Sequence, residues 1–160
     1  WHRAVHVWII NSKNELLIQK RAAIKENHPN QWDIPSAGHV SSGEDPLTTA
    51  IRETEEELGL KLQEKDFNHL FIVVQQSTQK KGTYINNEFN EVYLVKLNVD
   101  LTTLSLQKEE VAEVKFISIS DLKIALESNN PSFVQHPQEY RRLFAYLETY
   151  ITNKSSGHTS

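Results

Sequence analysis

The alternation of apolar and polar residues predicts several short strands. Residues 4–10 are apolar on both alternating faces, as in a strand buried on two sides, and a polar turn separates them from a hairpin partner at 16–20. Further strands are predicted at 70–74, 91–97 and 114–119. A turn candidate at Asn86 and Asn87 precedes the second of these, and no element is predicted at 32–40.

A different spacing predicts the helices. Apolar or methyl-bearing residues recur three and four positions apart at Leu47, Ala50, Ile51, Thr54 and Leu58. Asp45 is a natural N-cap, Pro46 suits the first helical position and Gly59 suits the C-cap, so a helix is predicted over 46–58. A short helix is predicted to open at 120–122 and a terminal helix to cover 138–150.

The order of these elements predicts an α/β fold in which a mixed β-sheet packs between helices. A chain of 160 residues is long enough to bury roughly 70% of its unfolded surface in one core. We therefore expect one domain over residues 1–151, followed by a flexible C-terminal tail at 152–160.

Net charge, the length of apolar runs and the absence of cysteine exclude several classes of function. The net charge is −4 and there is no long basic run, so no nucleic-acid partner is expected. No apolar run approaches the roughly 20 residues that span a bilayer, so no membrane association is expected. The chain has no cysteine, which excludes disulfides, thiolate metal sites and cysteine nucleophiles, and a cytoplasmic location is expected.

The predicted helix at 46–58 carries an acidic face. Glu53, Glu56 and Glu57 are spaced i, i+3 and i+4, which places their side chains together. Such carboxylate oxygens suit Mg²⁺ or Mn²⁺, which also bind substrate phosphates. The alternative is a solvated helix face on which Arg52 pairs with Glu56.

The residues around this helix form a longer pattern. Gly38 is followed after five residues by Glu44 and, after seven more, by Arg-Glu-Thr-Glu-Glu-Glu-Leu-Gly-Leu at 52–60. The pattern resembles the Nudix box, and every fixed position matches. Thr54 stands where an aliphatic residue is usual. The chain is thus identified as a member of the Nudix family, which implies a Nudix-type α/β/α sandwich over most of residues 1–150.

The resemblance implies roles for individual residues. The implied metal ligands are Glu53, Glu56, Glu57 and the carbonyl of Gly38. Arg52 would orient the glutamates, and Glu110 would lie near the metals as a base or extra ligand. For this last role Glu109 is the alternative, and Glu110 could equally be a surface acid. The implied reaction is attack of water on a phosphorus of a diphosphate, assisted by Mg²⁺ or Mn²⁺.

A subgroup of the family, related to type I isopentenyl-diphosphate isomerase, shows further likeness at residues 2–8 and 16–25. There, the positions matching Arg21 and Lys25 contact the diphosphate, and those matching His2, His39 and Glu88 help to hold a metal. We expect Arg21, Lys25 and His39 to bind substrate here. The Nudix domain that plant proteins join to a dipeptidyl-peptidase III-like module is also similar, at segments 1–8, 31–40, 84–88 and 106–111.

The isomerase uses a cysteine as an acid/base in the segment matching 36–39, where this chain has Ala37. The expected function is therefore divalent-metal-dependent hydrolysis of a diphosphate linkage in a small organic or nucleoside diphosphate. The alternatives are an isomerase-like enzyme and a diphosphate-binding module without catalysis. We expect His6 to be a satisfied strand histidine and His136 to be incidental, whereas Trp32 could stack on a substrate ring or pack in the core.

Overall fold

The computed structural model describes residues 1–79 and 84–156. The strands are β1 (His2–Ile10), β2 (Glu15–Arg21), β3 (Trp32–Asp33), β4 (Ser36–His39), β5 (Phe67–Gln79), β6 (Tyr84–Lys96) and β7 (Val111–Ser118). The helices are α1 (Pro46–Leu58), α2 (Ile119–Glu127) and α3 (Pro137–Ser156). Two short 3₁₀ helices cover Glu64–Asp66 and Leu101–Thr103.

Strand β1 is the centre of a mixed sheet. It runs parallel to β6 and antiparallel to β4, and β6 pairs in turn with β5. Strand β2 pairs with β3 and β7 on its two edges. The two groups of strands meet at a single register pair of β1 and β2, Ile10 with Leu16. Beyond that pair β1 and β2 have different neighbours, so they separate.

Two apolar cores cover the two faces of the sheet, because side chains alternate along a strand. Val5, Val7 and Ile9 of β1 pack in one core, whose helical members are Ala50 and Leu58 of α1. Trp8 and Ile10 of β1 pack in the other core, which includes Leu122 of α2 with Leu143 and Leu147 of α3. The predicted α/β/α sandwich with a mixed sheet is therefore confirmed.

Helix α1 has the predicted bounds and caps. The Asp45 carboxylate accepts a hydrogen bond from the Thr48 amide at 3.3 Å, and Gly59 closes the helix in a left-handed conformation with φ 71°. The Thr54 hydroxyl donates to the Ala50 carbonyl at 2.7 Å. This bond satisfies the one polar atom of Thr54, which is why threonine is tolerated at a buried position where the family pattern has an aliphatic residue.

The sheet is larger than the sequence predicted. Strands β3 and β4 lie in the segment 32–40, which carried no predicted element, and β6 includes Asn86 and Asn87, so a turn there was wrong. Asn87 instead pairs with Gln76 of β5. Polar residues on both partners hid this end of the hairpin, because the prediction relied on apolar positions. The connection at 80–83 lies outside the described residues.

The terminal helix is also longer than predicted. It continues to Ser156, six residues beyond the expected end at Tyr150, so the predicted tail is helical at 152–156. The first helix-breaking residue after Pro137 is Gly157, and the Thr152 hydroxyl donates to the Glu148 carbonyl at 2.9 Å. Residues 157–160 lie outside the described residues. Within the described ranges, no helix has the length and apolarity to cross a membrane.

Replacement of Gly59 by alanine should destabilise the fold by about 2–4 kcal/mol. The strain of a left-handed backbone at a non-glycine residue adds to the cost of fitting a methyl group against Ser105. An added Cβ would lie 2.8 Å from Ser105 Cβ and 2.9 Å from the Ser105 amide nitrogen. Gly43→Ala is the matched control, since Gly43 has φ +81° but open space around it, and it should cost about 1 kcal/mol. Urea unfolding measures both, and equal losses would contradict the role of the Ser105 contact.

Candidate active site

A cavity of about 530 Å³ opens where β1 and β2 separate. Ala4 and His6 of β1 form part of its wall, as do Gln19 and Arg21 of β2. All the predicted site residues except Arg52 line it, namely Arg21, Lys25, Gly38, His39, Glu53, Glu56, Glu57 and Glu110. The divergence of two strands thus creates the space in which residues distant along the chain meet.

A second cavity, of about 260 Å³, lies beside the first and is lined by Val73, Val74, Pro137, His136, Glu139 and four glutamines. It contains none of the predicted site residues. The larger cavity holds the facing carboxylates and cations, so it is the candidate active site.

The three glutamates of α1 differ in burial. The Glu56 side chain is 48% exposed and that of Glu53 17% exposed, whereas Glu57 is buried. Burial, followed by the negative charge of Glu53, raises the pKa of Glu57 to about 8. A hydrogen bond from the Ala37 amide opposes this shift. The Gln19 amide group also donates to the Glu57 carboxylate, at 3.3 Å. Glu57 therefore binds a proton readily near neutral pH.

Arg52 connects the glutamates without lining the cavity. Its guanidinium lies 3.2 Å from Glu44, 3.1 Å from Glu53 and 3.3 Å from Glu56. A hydrogen bond from Thr49 and the nearby guanidinium lower the pKa of Glu44. The arginine thus offsets the repulsion among these carboxylates. It forms the pair with Glu56 that the sequence suggested, and it also contacts Glu44 and Glu53.

Gly38 brings β4 close to α1. A Cβ atom at this position would lie 2.3 Å from the Glu53 carboxyl carbon, a distance that real side chains do not adopt. The glycine is therefore required by the close approach of Glu53 rather than by its backbone angles. This contact explains in physical terms why the pattern places a glycine fifteen positions before a glutamate.

The cavity also receives cationic side chains, each paired with an acid. Lys25 forms an ion pair with Glu110, and Arg21 contacts Asp33 at 3.4 Å while donating to the Asn27 carbonyl at 3.0 Å. These pairs keep Arg21 and Lys25 at the cavity wall, where both can reach an anionic ligand.

His39 is three-quarters exposed and pairs with Glu88 at 2.8 Å. The hydrogen bond from His39 lowers the pKa of Glu88, and the same bond raises the pKa of His39. His39 therefore presents a mostly accessible ring at the rim of the cavity, as a substrate-binding or metal-binding residue requires.

One residue of the cavity wall, Asp33, was missed from the sequence. Asp33 is buried in the cavity wall and pairs with His136 at 2.8 Å, so His136, which was expected to be incidental, contacts a residue of the site. The available signal was an acid within the apolar segment around Asp33. Trp32 does not line the cavity. It packs against the core with Lys115 Nζ 4.3 Å from its ring centre, which favours the core alternative.

The donor set can be tested against the expected metal. Within residues 1–79 and 84–156, no group of three or more His, Asp or Glu side chains is arranged so that it could hold a metal ion. Like-charged carboxylates repel one another, and Arg52 holds Glu53 and Glu56 on its own side. Oxygen donors such as Glu53, Glu56 and Glu57 still suit Mg²⁺ or Mn²⁺, which keep waters and share their shell with phosphate oxygens. The chemistry of these donors, rather than their present arrangement, thus suits an ion held jointly with substrate.

The family model for the NUDIX domain matches residues 1–137 of this chain. The chain belongs to the Nudix family. Nudix hydrolase 3 of Arabidopsis thaliana is 44% identical over 149 residues, which cover 90% of this chain and 19% of that protein. An uncharacterised Nudix hydrolase of Listeria monocytogenes is 38% identical over 129 residues, covering 80% of this chain and 69% of that protein.

The isomerase likeness is also present among the Nudix relatives. Isopentenyl-diphosphate delta-isomerase of Gibberella zeae is 30% identical over 150 residues, which cover 85% of this chain and 57% of that enzyme. The resemblance to the isomerase subgroup is therefore confirmed at the level of sequence. The Nudix chain nevertheless lacks cysteine, so this likeness does not extend to the isomerase acid/base group.

Solved structures share the Nudix fold. A Deinococcus radiodurans protein aligns with a TM-score of 0.68 at 22% identity, covering 88% of this chain and 82% of that one. The NUDIX domain of Shewanella oneidensis NrtR, solved as a complex with ADP-ribose, aligns with a TM-score of 0.66 at 16% identity, covering 91% and 87%. At these identities the likeness concerns the fold alone.

Gly38→Ala should leave the protein folded but weaken divalent-ion binding about ten-fold or more, since it displaces Glu53. The fold should survive because the clash involves the flexible end of that side chain. Binding of Mn²⁺ is measured by calorimetry, with Gly43→Ala as the control because no atom lies near an added Cβ there. Unchanged affinity in the Gly38 variant would remove Glu53 from the set of expected ligands.

The stability of the metal-free protein should depend on the ionisation of Glu57. Its pKa is raised in the folded state, so its contribution is fully present below about pH 4.5 and is lost as the pH rises through 8. Relative to Glu57→Gln, the wild type should lose up to a few kcal/mol between pH 4.5 and 9, since one pKa unit corresponds to about 1.4 kcal/mol. Urea unfolding with chelator measures this difference, and a difference independent of pH contradicts it.

Proposed function

We propose that this Nudix domain is a divalent-metal-dependent hydrolase that cleaves a diphosphate linkage by attack of water on phosphorus. The observation that carries the proposal is that the α1 carboxylates and the cations Arg21 and Lys25 line the same cavity. The carboxylates would bind metal and the cations would bind phosphate, so a single ligand in this cavity could engage both. The names of the curated relatives support hydrolysis.

Glu53, Glu56 and Glu57, with the Gly38 carbonyl, are proposed to hold Mg²⁺ or Mn²⁺. When bound, such an ion neutralises phosphate oxygens and lowers the pKa of a water molecule. Glu57 would have to lose its proton to act as a ligand, so metal binding would be expected to release a proton from this raised-pKa group. Arg52 is proposed to orient Glu53 and Glu56 through its contacts at 3.1 and 3.3 Å.

Arg21 and Lys25 are proposed to grip the diphosphate, with His39 at the cavity rim. The guanidinium of Arg21 suits phosphate because its donors form a planar fork. Glu110, paired with Lys25, is proposed as the general base or a further ligand. Binding of phosphate by Lys25 would weaken its pairing with Glu110 and so free that carboxylate beside the reacting centre.

The substrate class that we propose is a small organic or nucleoside diphosphate. The Nudix domain of NrtR was solved with ADP-ribose, and the Gibberella zeae relative is named for isopentenyl diphosphate, so both nucleotide and prenyl compounds are reasonable tests. Isomerase activity is disfavoured because Ala37 lines the cavity and the chain has no cysteine. A cytoplasmic location stays a prediction.

The defining experiment measures phosphate or monophosphate release from nucleoside, prenyl and thiamine diphosphates with Mg²⁺ or Mn²⁺, each repeated with chelator. Chelator-sensitive release from one class supports the hydrolase and identifies its substrates. Metal-dependent thermal stabilisation by a diphosphate without any release would instead support the binding-module alternative.

Glu56→Gln should reduce turnover about 100-fold or more while leaving the protein folded, because it removes one charge aimed at the reacting centre without changing shape. Glu55→Gln is the matched control, since Glu55 is exposed on the same helix and does not line the cavity. It should retain turnover within two-fold. Turnover of the Glu56 variant close to that of the wild type would remove Glu56 from the proposed ligands.

A further inference from the structure

A histidine of the central strand is held by a carboxylate from the last helix. His6 Nδ1 on β1 lies 2.6 Å from one carboxylate oxygen of Glu139 on α3. The Trp8 indole donates to the other carboxylate oxygen at 2.9 Å. With both oxygens engaged, the Glu139 carboxylate cannot rotate freely, and it fixes the orientation of the His6 ring.

The two sides of this pair face different surroundings. The Glu139 side chain is 2% exposed and borders the smaller cavity, whereas the His6 side chain is 10% exposed and lines the candidate active site. Among residues 1–79 and 84–156, no hydrogen-bond partner is found for His6 Nε2. Because Nδ1 is committed to Glu139 at the back of the ring, Nε2 is the polar atom of His6 available to a ligand in the active-site cavity.

The charges around His6 favour its cationic form. Burial lowers the pKa of His6, but the carboxylates of Glu139, Asp33 and Glu88 raise it by more. Two other histidines face His6, and a positive charge on either would lower its pKa. They are His39 and His136, and the ring centre of His136 lies 5.9 Å from that of His6. In the cationic form both ring nitrogens carry hydrogen, so Nε2 can donate while Nδ1 stays bonded to Glu139.

We propose that His6 is a further substrate-binding residue, whose Nε2–H donates a hydrogen bond to a phosphoryl oxygen of the diphosphate, and that Glu139 is its positioning residue. This inference rests on the proposed function, because it takes a diphosphate to be the ligand of the cavity. Unlike Arg21 and Lys25, whose acidic partners Asp33 and Glu110 lie in the same cavity, His6 has its principal partner behind the ring. Its donor therefore does not have to leave Glu139 to bind phosphate.

The first test is binding of imidodiphosphate, a diphosphate analogue with a bridging nitrogen, in the presence of Mg²⁺. His6→Gln should weaken binding about ten-fold or more, as expected for loss of a charged hydrogen bond. His69→Gln is the matched control, because His69 forms a comparable pair with Glu91 outside this cavity, and it should bind within two-fold of the wild type. Equal binding by the wild type and the His6 variant overturns the proposal.

The positioning role of Glu139 predicts a change in pH dependence. Glu139→Gln removes the charge that most raises the pKa of His6, so affinity for imidodiphosphate should begin to fall at a lower pH than in the wild type. A uniform loss of affinity at every pH would overturn the positioning role, since general structural damage has no reason to follow the titration of His6.

Nitrogen-15 NMR of the wild type keeps the proposal testable if these variants fail to fold. Imidodiphosphate with Mg²⁺ should shift His6 Nε2 and leave the ring signals of His69 unchanged. An unchanged His6 signal at saturating ligand overturns the inference. If the substrate panel is hydrolysed while His6→Gln binds normally, the proposed function stands and this inference fails. If the wild type neither hydrolyses the panel nor binds imidodiphosphate, both fail.

Discussion

The single register pair that joins β1 to β2, Ile10 with Leu16, is the constraint on which the site depends. Had the two strands paired along their full length, Gln19 and Arg21 would lie against the backbone of β1. Instead β1 bonds to β4, and β2 bonds to β3 and β7. Both strands therefore keep backbone partners, and the space between them becomes a polar cavity bordered by the two apolar cores.

Helix α1 has to satisfy two opposed requirements at that cavity. Ala50 and Leu58 anchor it in the core, while three glutamates project from the adjoining face and one of them, Glu53, closely approaches Gly38. Arg52 offsets part of the repulsion among these carboxylates. The burial of Glu57 is not fully offset by its hydrogen bonds and cationic neighbours, so its pKa is raised. Apolar packing thus maintains an arrangement of acids that electrostatics alone would disperse.

Local features of the fold were predictable from the sequence, and distant contacts were not. The bounds of α1 followed from its apolar spacing, from Asp45 and from Gly59, all of which act within a few residues. The extended ends of β5 and β6 were not visible, because polar pairs such as Gln76 with Asn87 carry no apolar signal. The carboxylate that holds His6 is 133 positions away, so only the packing of α3 on β1 could reveal their contact.

The same distinction applies to the candidate site. The box residues were found because they follow a compact pattern on β4 and α1. Asp33 lies in a segment for which no element was predicted, and His6 was expected to be a satisfied histidine of an apolar strand. The signal in each case was a polar side chain among apolar neighbours. Such residues acquire meaning when the neighbouring elements are known, since a buried acid or imidazole must find a partner there.

The walls of the cavity come from separate parts of the chain, and this has an evolutionary consequence. The glutamates stand on one helix, but Arg21 belongs to β2, Lys25 to the loop after it and His39 to β4. Substitutions in those wall residues can alter which molecule is accepted while the helix and its caps remain intact. The substrate selectivity of this fold can therefore change while the glutamates of the helix stay the same.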